Sequence, residues 1–251
     1  MLTADQLDEY WAKGYLLLPG LLSPSEIEVL REALSPLLDP AHEATLTNEG
    51  DHSVRLVYGV HQGSDAYRVL VRLPRVLEPA RQLLDGDVYV HQTKVTLNTP
   101  QTGEGWPWHQ DYAFWRTRDH LPTPRVLSAA VFLDDVTAVN GPLFLVPGSH
   151  RAAVPTTESG VLDRVDIADV CRENGIDVPQ GPAGSVLYFD GNTVHGSSSN
   201  VSPFERRVLY ITYNSVENAP SPTDDPPPDH LAARDRRAIT VLADDALLAH
   251  S

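Results

Sequence analysis

The stretch WHQDYAFW, residues 108–115, places a histidine and an aspartate two residues apart. In an extended chain, residues i and i+2 point to the same side, so His109 and Asp111 can direct an imidazole and a carboxylate at one point. Both groups are common metal ligands. A chain with this many histidines and acids contains about one such triplet by chance. A hydrogen-bonded pair at a strand end is therefore the structural alternative.

A third ligand is available in His195, which lies in the segment FDGNTVHGSSSN. This segment follows a predicted strand and is rich in Gly, Ser and Asn, so its backbone can approach a ligand closely. Two histidines and one carboxylate form the facial triad of non-haem Fe(II) oxygenases, which leaves coordination positions open for a co-substrate and O2. The sequence therefore indicates a candidate Fe(II) site made of His109, Asp111 and His195.

Two arginines, Arg206 and Arg207, follow at the start of the last predicted strand. Arginine binds carboxylates through two parallel hydrogen bonds, so either residue could hold an acidic co-substrate. Neighbouring residues of a strand point to opposite faces, and only one of the two can face the metal. The alternative for the pair is a solvated strand edge.

The chain has 251 residues and a formal net charge of −15. Such an acidic chain is a poor match for nucleic acids or anionic membranes, which bind clustered positive charge. No apolar run reaches membrane-spanning length, and the first residues lack the pattern of a signal peptide. The one cysteine, Cys171, excludes an intrachain disulfide and suits a reducing compartment. We expect a soluble cytoplasmic protein, a monomer or homodimer, that binds neither nucleic acid nor membranes.

The N-terminal region predicts helices. Capping-box patterns occur twice, at Thr3 with Gln6 and at Ser23 with Glu26, and each precedes a helical run. Two further helices are expected within residues 65–84.

From residue 86 the pattern changes to β-strands. Five runs separated by Gly, Pro, Asn and Asp predict strands: DVYVHQTKVTLN, RVLSAAVFL, PLFLV, SVLYF and RVLYITYN. Short strands behind a helical layer predict a mainly β fold, a β-sandwich or jelly roll buttressed by helices. We expect one domain over residues 1–251: a helical buttress with the first strands (1–85), a β core (86–216) and a C-terminal tail (217–251). The Pro- and Asp-rich tail either follows the surface or is partly mobile.

With these motifs the chain resembles the phytanoyl-CoA dioxygenase superfamily of Fe(II)/2-oxoglutarate oxygenases, and within it the ectoine-hydroxylase branch. The similarity runs through GYLLLPGLLSPSEI, HQTKVTLN, WHQDYAFW, NGPLFLVPGSHR and HGSSSNVSPFERR. It implies a double-stranded β-helix, the jelly-roll or cupin-like fold, with iron bound by His109, Asp111 and His195. It also implies that 2-oxoglutarate and O2 are consumed while an unactivated C–H bond is hydroxylated.

The resemblance also implies roles for residues around the metal. Arg206 stands eleven residues after His195, at the position of the 2-oxoglutarate arginine, with Arg207 as the alternative. Ser197 and Asn98 match positions that contact the co-substrate.

Gln92 and Trp115 match positions of the substrate pocket. Core packing is the expectation for most of the neighbouring aromatic residues, namely Trp106, Trp108, Tyr112 and Phe114. Lys94 lies on the same strand face as Gln92, and its burial would require an acidic partner such as a bound carboxylate. A purely structural role for Lys94 is the alternative.

The retained Asp111 favours hydroxylation over halogenation, because related halogenases have a small residue there and bind halide in its place. The expected substrate is a small polar molecule: a free or cyclic amino acid, or a natural-product intermediate. Ectoine itself is only the alternative, because this chain departs from the usual motif of that branch. Gln110 stands where a serine is usual, and Ala113–Phe114 stand where an acid–threonine pair is usual. The rival hypothesis is a non-catalytic jelly-roll binding protein, which should lack a metal ligand or the arginine.

Overall fold

The computed structural model describes residues 1–50, 52–101, 103–152, 157 and 160–249. The helices are α1 (Ala4–Lys13), α2 (Pro24–Leu34), α3 (Val60–Gly63), α4 (Asp65–Leu70), α5 (Pro74–Leu83), α6 (Asp111–Arg118), α7 (Arg164–Asn174) and α8 (Ala246–Ala249). The strands are β1 (Tyr15–Leu18), β2 (Thr45–Thr47), β3 (Val54–Tyr58), β4 (Val88–Asn98), β5 (Trp106–His109), β6 (Val126–Phe132), β7 (Leu143–Leu145), β8 (Val186–Asp190), β9 (His195–Ser197) and β10 (Arg206–Ser215).

The strands form two sheets. The larger sheet has the order β1-β8-β6-β10-β4-β3-β2, and the smaller has the order β5-β9-β7. All pairings between these strands are antiparallel. The architecture is mainly β with flanking helices, as the sequence predicts.

All five predicted runs form strands, namely β4, β6, β7, β8 and β10. The pattern misses β5 and β9, which are four and three residues long and read WPWH and HGS. Strands of three or four residues are too short to show a clear alternation of apolar and polar residues. They form because the smaller sheet pairs them with each other and with β7.

The predicted helix starts are confirmed. Both capping boxes form, with Thr3 and Gln6 at α1 and Ser23 and Glu26 at α2. Apolar side chains of α2 and α5 pack with residues of the larger sheet in one continuous core, so the helices cover that sheet. None of the described helices is long and apolar enough to cross a membrane.

The C-terminal tail follows the surface of the larger sheet. The Ala233 amide donates to the His91 carbonyl at 2.8 Å, and the Ile239 amide donates to the Val88 carbonyl at 3.0 Å. Leu247 of α8 is fully buried. Of the two alternatives for the tail, the described part adopts the first.

Gly14 joins the helical layer to the loop that precedes His195. Its φ is +83°, in the left-handed region that glycine adopts readily. Its carbonyl accepts hydrogen bonds from the Asp190 amide at 2.9 Å and from Thr193 Oγ1 at 2.8 Å. A Cβ at this position would collide with the His150 ring and lie 2.6 Å from Thr193 Oγ1.

We expect Gly14→Ala to lower the free energy of unfolding by about 2–4 kcal/mol, since steric overlap adds to the strain of a positive φ. Urea denaturation followed by circular dichroism measures the change. Gly20→Ala is the matched control: Gly20 also has a positive φ, of +60°, but nothing lies within 4 Å of a Cβ there. An equal decrease in the free energy of unfolding of the two variants would show that close packing of Gly14 against the His195 loop does not contribute to stability.

Candidate active site

The C-terminal end of β5 and the N-terminal end of β9 bring the two candidate histidine ligands together. His109 is the last residue of β5 and lies opposite His195, the first residue of β9, in the antiparallel register. Gln110 is extended, with φ −119° and ψ 122°, so Asp111 points to the same side as His109. Asp111 then begins α6, so residues 111–115 of the motif are helical rather than extended.

The ligand atoms converge on one point. Asp111 Oδ1 lies 3.5 Å from His109 Nε2, and Asp111 Oδ2 lies 3.8 Å from His195 Nε2. All three ligand atoms lie within 4.8 Å of one another. Ligands bound at about 2.1 Å from one metal ion are roughly 3 Å apart when they are at right angles, so a small closure would complete the site. In the part of the chain that the structure describes, this is the one such group of His, Cys, Asp or Glu side chains.

Backbone carbonyls orient both imidazoles. His109 Nδ1 lies 2.7 Å from the Pro107 carbonyl oxygen, and His195 Nδ1 lies 2.9 Å from the Thr193 carbonyl oxygen. A carbonyl can only accept, so a neutral ring in either position carries its proton on Nδ1, and its Nε2 lone pair is available to a metal ion beside Asp111. This arrangement is typical of metal-bound histidines.

The electrostatics keep Asp111 and His195 in their metal-binding protonation states. Burial would raise the pKa of Asp111, but Lys94, His195 and His109 together hold it well below its usual range. Burial, together with the neighbouring His109, lowers the pKa of His195 to about 3. At neutral pH the site therefore presents a carboxylate and an uncharged His195 imidazole.

Lys94 has the acidic partner that its burial requires. Its Nζ lies 4.0 Å from Asp111 Oδ1 and 5.4 Å from the centre of the Tyr210 ring. Burial lowers the pKa of Lys94, but Asp111, Tyr58 and Tyr210 outweigh this effect and raise it above its usual value. The cavity wall therefore contains a positive charge beside the metal ligands.

A cavity of about 270 Å³ opens in front of the three ligands. Apart from Lys94 and the ligands, its wall is mainly aromatic and aliphatic. It is lined by Leu56, Tyr58, Lys94, Thr96, Trp106, Pro107, His109, Asp111, Phe114, Leu143, Val161, His195 and Tyr210. Such a wall suits a small ligand that has an apolar part and few charged groups.

The structure separates the two candidate arginines. Arg206 is 2% exposed, and its Nη1 donates to Thr96, a cavity-lining residue, at 3.2 Å. Arg207 points to the opposite face, where its Nε and Nη2 donate to the Asp134 carboxylate at 2.8 Å each. Arg207 is thus committed to an ion pair away from the metal, and Arg206 is the arginine on the cavity side.

Buried polar groups beside Arg206 have unused hydrogen-bonding capacity. Asn98 lies directly opposite Arg206 in the pairing of β4 with β10. Asn98 Oδ1 and Arg206 Nε are buried and have no hydrogen-bond partner within the described residues. Ser197 Oγ, in the smaller sheet, accepts a bond from the Trp106 amide at 3.1 Å. This end of the site therefore fits a polar, acidic ligand such as 2-oxoglutarate.

The two predicted substrate-pocket residues lie elsewhere. Gln92 is buried and donates through Nε2 to the Leu231 carbonyl of the tail at 2.6 Å. Trp115 is 1% exposed and packs with Tyr112, Leu121 and Val126. Neither belongs to the described cavity wall.

Two aromatic residues that the sequence assigns to core packing instead line the cavity, namely Trp106 and Phe114. Both are backed by an arginine: Arg55 lies 4.2 Å from the Trp106 ring, and Arg118 lies 4.3 Å from the Phe114 ring. The sequence gives no signal for either contact.

Tyr58, Thr96 and Tyr210 were also missed as cavity residues. For the last two a signal exists, because Thr96 is two residues from Lys94, and Tyr210 is four residues from Arg206. Even spacing places them on the faces of β4 and β10 that face the cavity.

The loop before His195 is fixed by buried hydrogen bonds. Ser149 Oγ accepts a bond from the Val194 amide at 2.9 Å and donates to the Val146 carbonyl at 2.6 Å. Asp190 Oδ1 accepts from the Asn192 amide at 2.8 Å, and burial raises the pKa of Asp190 to about 6. The carboxyl group of Asp190 thus restrains the loop that leads to His195, one of the candidate metal ligands.

Antiparallel sheets with two histidines and an aspartate converging at one end define a class of mononuclear non-haem iron oxygenases. The chain belongs to the family described as phytanoyl-CoA dioxygenase (PhyH), whose model matches residues 10–208. It is 38% identical over 255 residues to an ectoine dioxygenase from Bordetella parapertussis. This match covers 93% of this chain and 83% of the relative. It is 36% identical over 262 residues to L-proline trans-4-hydroxylase from Streptomyces griseoviridis, with 97% of both chains covered.

A solved structure shows the same fold. The crystal structure of EctD from S. alaskensis with 2-oxoglutarate and 5-hydroxyectoine matches with a TM-score of 0.90 and 32% identity, covering 96% of this chain and 88% of that one. The predicted double-stranded β-helix is confirmed. The protein is an Fe(II)- and 2-oxoglutarate-dependent dioxygenase that uses O2, which excludes the non-catalytic alternative.

Asp190 should make stability depend on pH. Its folded pKa of about 6 lies above the usual value of 3.8, so the folded state holds the proton more tightly, and this stabilisation is lost as pH rises through 6. The variant Asp190→Asn keeps the acceptor for the Asn192 amide but cannot ionise. We expect its free energy of unfolding to exceed that of the wild type by about 1–3 kcal/mol at pH 8. The advantage should fall to about a third of this at pH 4.5, since it vanishes only below the usual pKa of 3.8, and urea unfolding at the two pH values measures it. A constant difference between wild type and variant would contradict this account.

Proposed function

We propose that His109, Asp111 and His195 are the Fe(II) ligands of this dioxygenase. The observation that carries the proposal is their convergence at one end of the cavity, with both histidine Nε2 atoms facing the Asp111 carboxylate. The Pro107 and Thr193 carbonyls hold the imidazoles in this orientation before metal binds. The retained carboxylate supports hydroxylation, because it occupies the position that a halide would need.

We propose further that Arg206, Asn98 and Ser197 hold 2-oxoglutarate. Arg206 would bind the distal carboxylate, since its Nε is buried without a partner in the described residues. The Asn98 amide and the Ser197 hydroxyl lie at the same end of the two sheets. They would form the remaining hydrogen bonds to 2-oxoglutarate. When bound, the iron supplies the chemistry of O2 activation; the protein binds, orients and shields the reactants.

The substrate that we propose is a small amino acid, and a cyclic one such as L-proline in preference to ectoine. The L-proline trans-4-hydroxylase relative matches this chain over 97% of both lengths. Lys94 offers a cation to the substrate carboxylate. It is four residues from Asn98 on β4, roughly 13 Å along the strand, so it and Arg206 serve different ends of the cavity. Ectoine is the second candidate, supported by the 38% identity to an ectoine dioxygenase.

We also infer that the enzyme acts in the cytoplasm as a monomer or homodimer. The single cysteine and the strongly acidic composition support this inference.

The two neighbouring arginines provide a matched test of co-substrate binding. Arg206→Ala should raise the KM for 2-oxoglutarate roughly 100-fold, the effect of losing about 2.7 kcal/mol of charge-assisted hydrogen bonding. Arg207→Ala should leave this KM within about threefold of wild type, because Arg207 faces Asp134. Succinate release measures both constants.

Anaerobic addition of Fe(II) and 2-oxoglutarate to the apo-protein tests the metal centre directly. The weak visible charge-transfer band of the chelate should form in the wild type, disappear in Asp111→Ala and weaken in Arg206→Ala. A wild type that binds iron but gives no band would refute the assignment of the site.

Hydroxylation of L-proline, detected by mass spectrometry and by coupled succinate release, tests the substrate class. Lys94→Met should raise the KM for L-proline about 10- to 100-fold, because a buried carboxylate would lose its ionic partner. Lys13→Met is the control, since Lys13 is the other lysine of the chain and pairs with Glu9 on the surface of α1. If ectoine is hydroxylated and a panel of amino acids is not, the second candidate replaces the first.

A further inference from the structure

Phe114 is an aromatic cavity residue with unusually high exposure. It lines the same cavity as His109 and Asp111, yet 37% of its surface is exposed to solvent. An exposed apolar side chain in a concave site is typical of a ligand contact. The metal ligands and the 2-oxoglutarate residues leave this ring without an assigned role.

The Arg118 guanidinium lies over the Phe114 ring. The two residues are four positions apart on α6, so they share one helix face. The guanidinium carbon lies 4.3 Å from the ring centre, within the range of a cation–π interaction. Phe114 belongs to the described cavity wall and Arg118 does not, so Arg118 can influence a bound substrate through its contact with the ring.

Arg118 is itself held in place by buried groups. Its Nη2 donates to Asp119 Oδ2 at 2.6 Å and to the Leu231 carbonyl of the tail at 3.2 Å, and its Nε donates to Asp119 Oδ1. The Asp119 carboxylate is fully buried and lies 2.8 Å from His91 Nε2 in β4. A continuous set of contacts therefore runs from β4 and the tail to the Phe114 ring.

We propose that Phe114 and Arg118 form a specificity-determining wall of the active site. The phenyl ring packs against the hydrocarbon part of the substrate, while the substrate carboxylate faces Lys94. Arg118 is a positioning residue, because it acts on the substrate through the ring. The proposal rests on the proposed amino-acid substrate and deepens it: the ring limits the size of the ring or side chain that fits.

Steady-state kinetics with L-proline and its one-carbon-larger homologue, L-pipecolate, test the role of Phe114. Phe114→Ala should raise the KM for L-proline about tenfold, the loss expected when ~55 Å² of apolar contact disappears. The kcat and the KM for 2-oxoglutarate should change less than about threefold, and the kcat/KM ratio should shift towards L-pipecolate. Phe114→Tyr, which keeps the ring, should restore the KM for L-proline.

A double-mutant cycle tests the role of Arg118. Arg118→Lys keeps the charge but loses the planar group that covers the ring, so it should raise the KM for L-proline about threefold. In the Phe114→Ala background the same change should have no further effect, because the ring through which it acts is absent. Additive effects of the two changes would show that Arg118 acts through the fold alone.

Phe204→Ala is the matched control, since Phe204 is 70% exposed and lies outside the cavity wall. The proposal is overturned if Phe114→Ala has the same constants as Phe204→Ala while the wild type hydroxylates L-proline. A wild type that gives the Fe(II)·2-oxoglutarate band but turns over no amino acid refutes the proposed substrate class, and the role of Phe114 with it. The two failures are distinguishable because the wild type is active only in the first.

Discussion

The antiparallel pairing of β5 with β9 is the constraint on which the active site depends. It places His109 directly opposite His195. A shift of one residue would turn an imidazole to the other face of the smaller sheet, because side chains alternate along a strand. The extended Gln110 carries Asp111 to the same side as His109, and hydrogen bonds from the Gln110 amide to the Gly160 carbonyl and from the Tyr112 amide to the Gly191 carbonyl fix this segment. The bonds that Gly14 accepts from the loop before β9 hold the other strand end in register.

Two cationic side chains at the site have the opposite sign to the charge of the whole chain. The formal net charge is −15, yet Lys94 lies beside Asp111 in the cavity wall, and the buried Arg206 lies next to the cavity residue Thr96. A chain this acidic does not attract anionic ligands over long distances. Binding of an anionic ligand at this site must therefore depend on short-range contacts.

The helix α6 decides which aromatic side chains face the cavity. Consecutive helix residues are separated by about 100°, so Phe114 and Trp115 point in different directions. Phe114 lines the cavity, and Trp115 packs against Leu121 and Val126. Even spacing on β4 aligns Gln92 with Lys94, but the tail carbonyl of Leu231 takes up the Gln92 amide. Packing of α6 and the tail thus gives Trp115 and Gln92 partners within the protein itself.

The sequence by itself determines the candidate metal-ligand set, the five apolar strand runs and the helix starts. These features are local: His-x-Asp spacing, apolar alternation and capping boxes act over a few residues. The tertiary structure decides which of Arg206 and Arg207 faces the cavity, since this depends on the orientation of β10 towards β4 and on Asp134. It also decides the pairing of β5 with β9 and the aromatic wall, because strands this short and side chains this far apart acquire their positions only from contacts between distant segments.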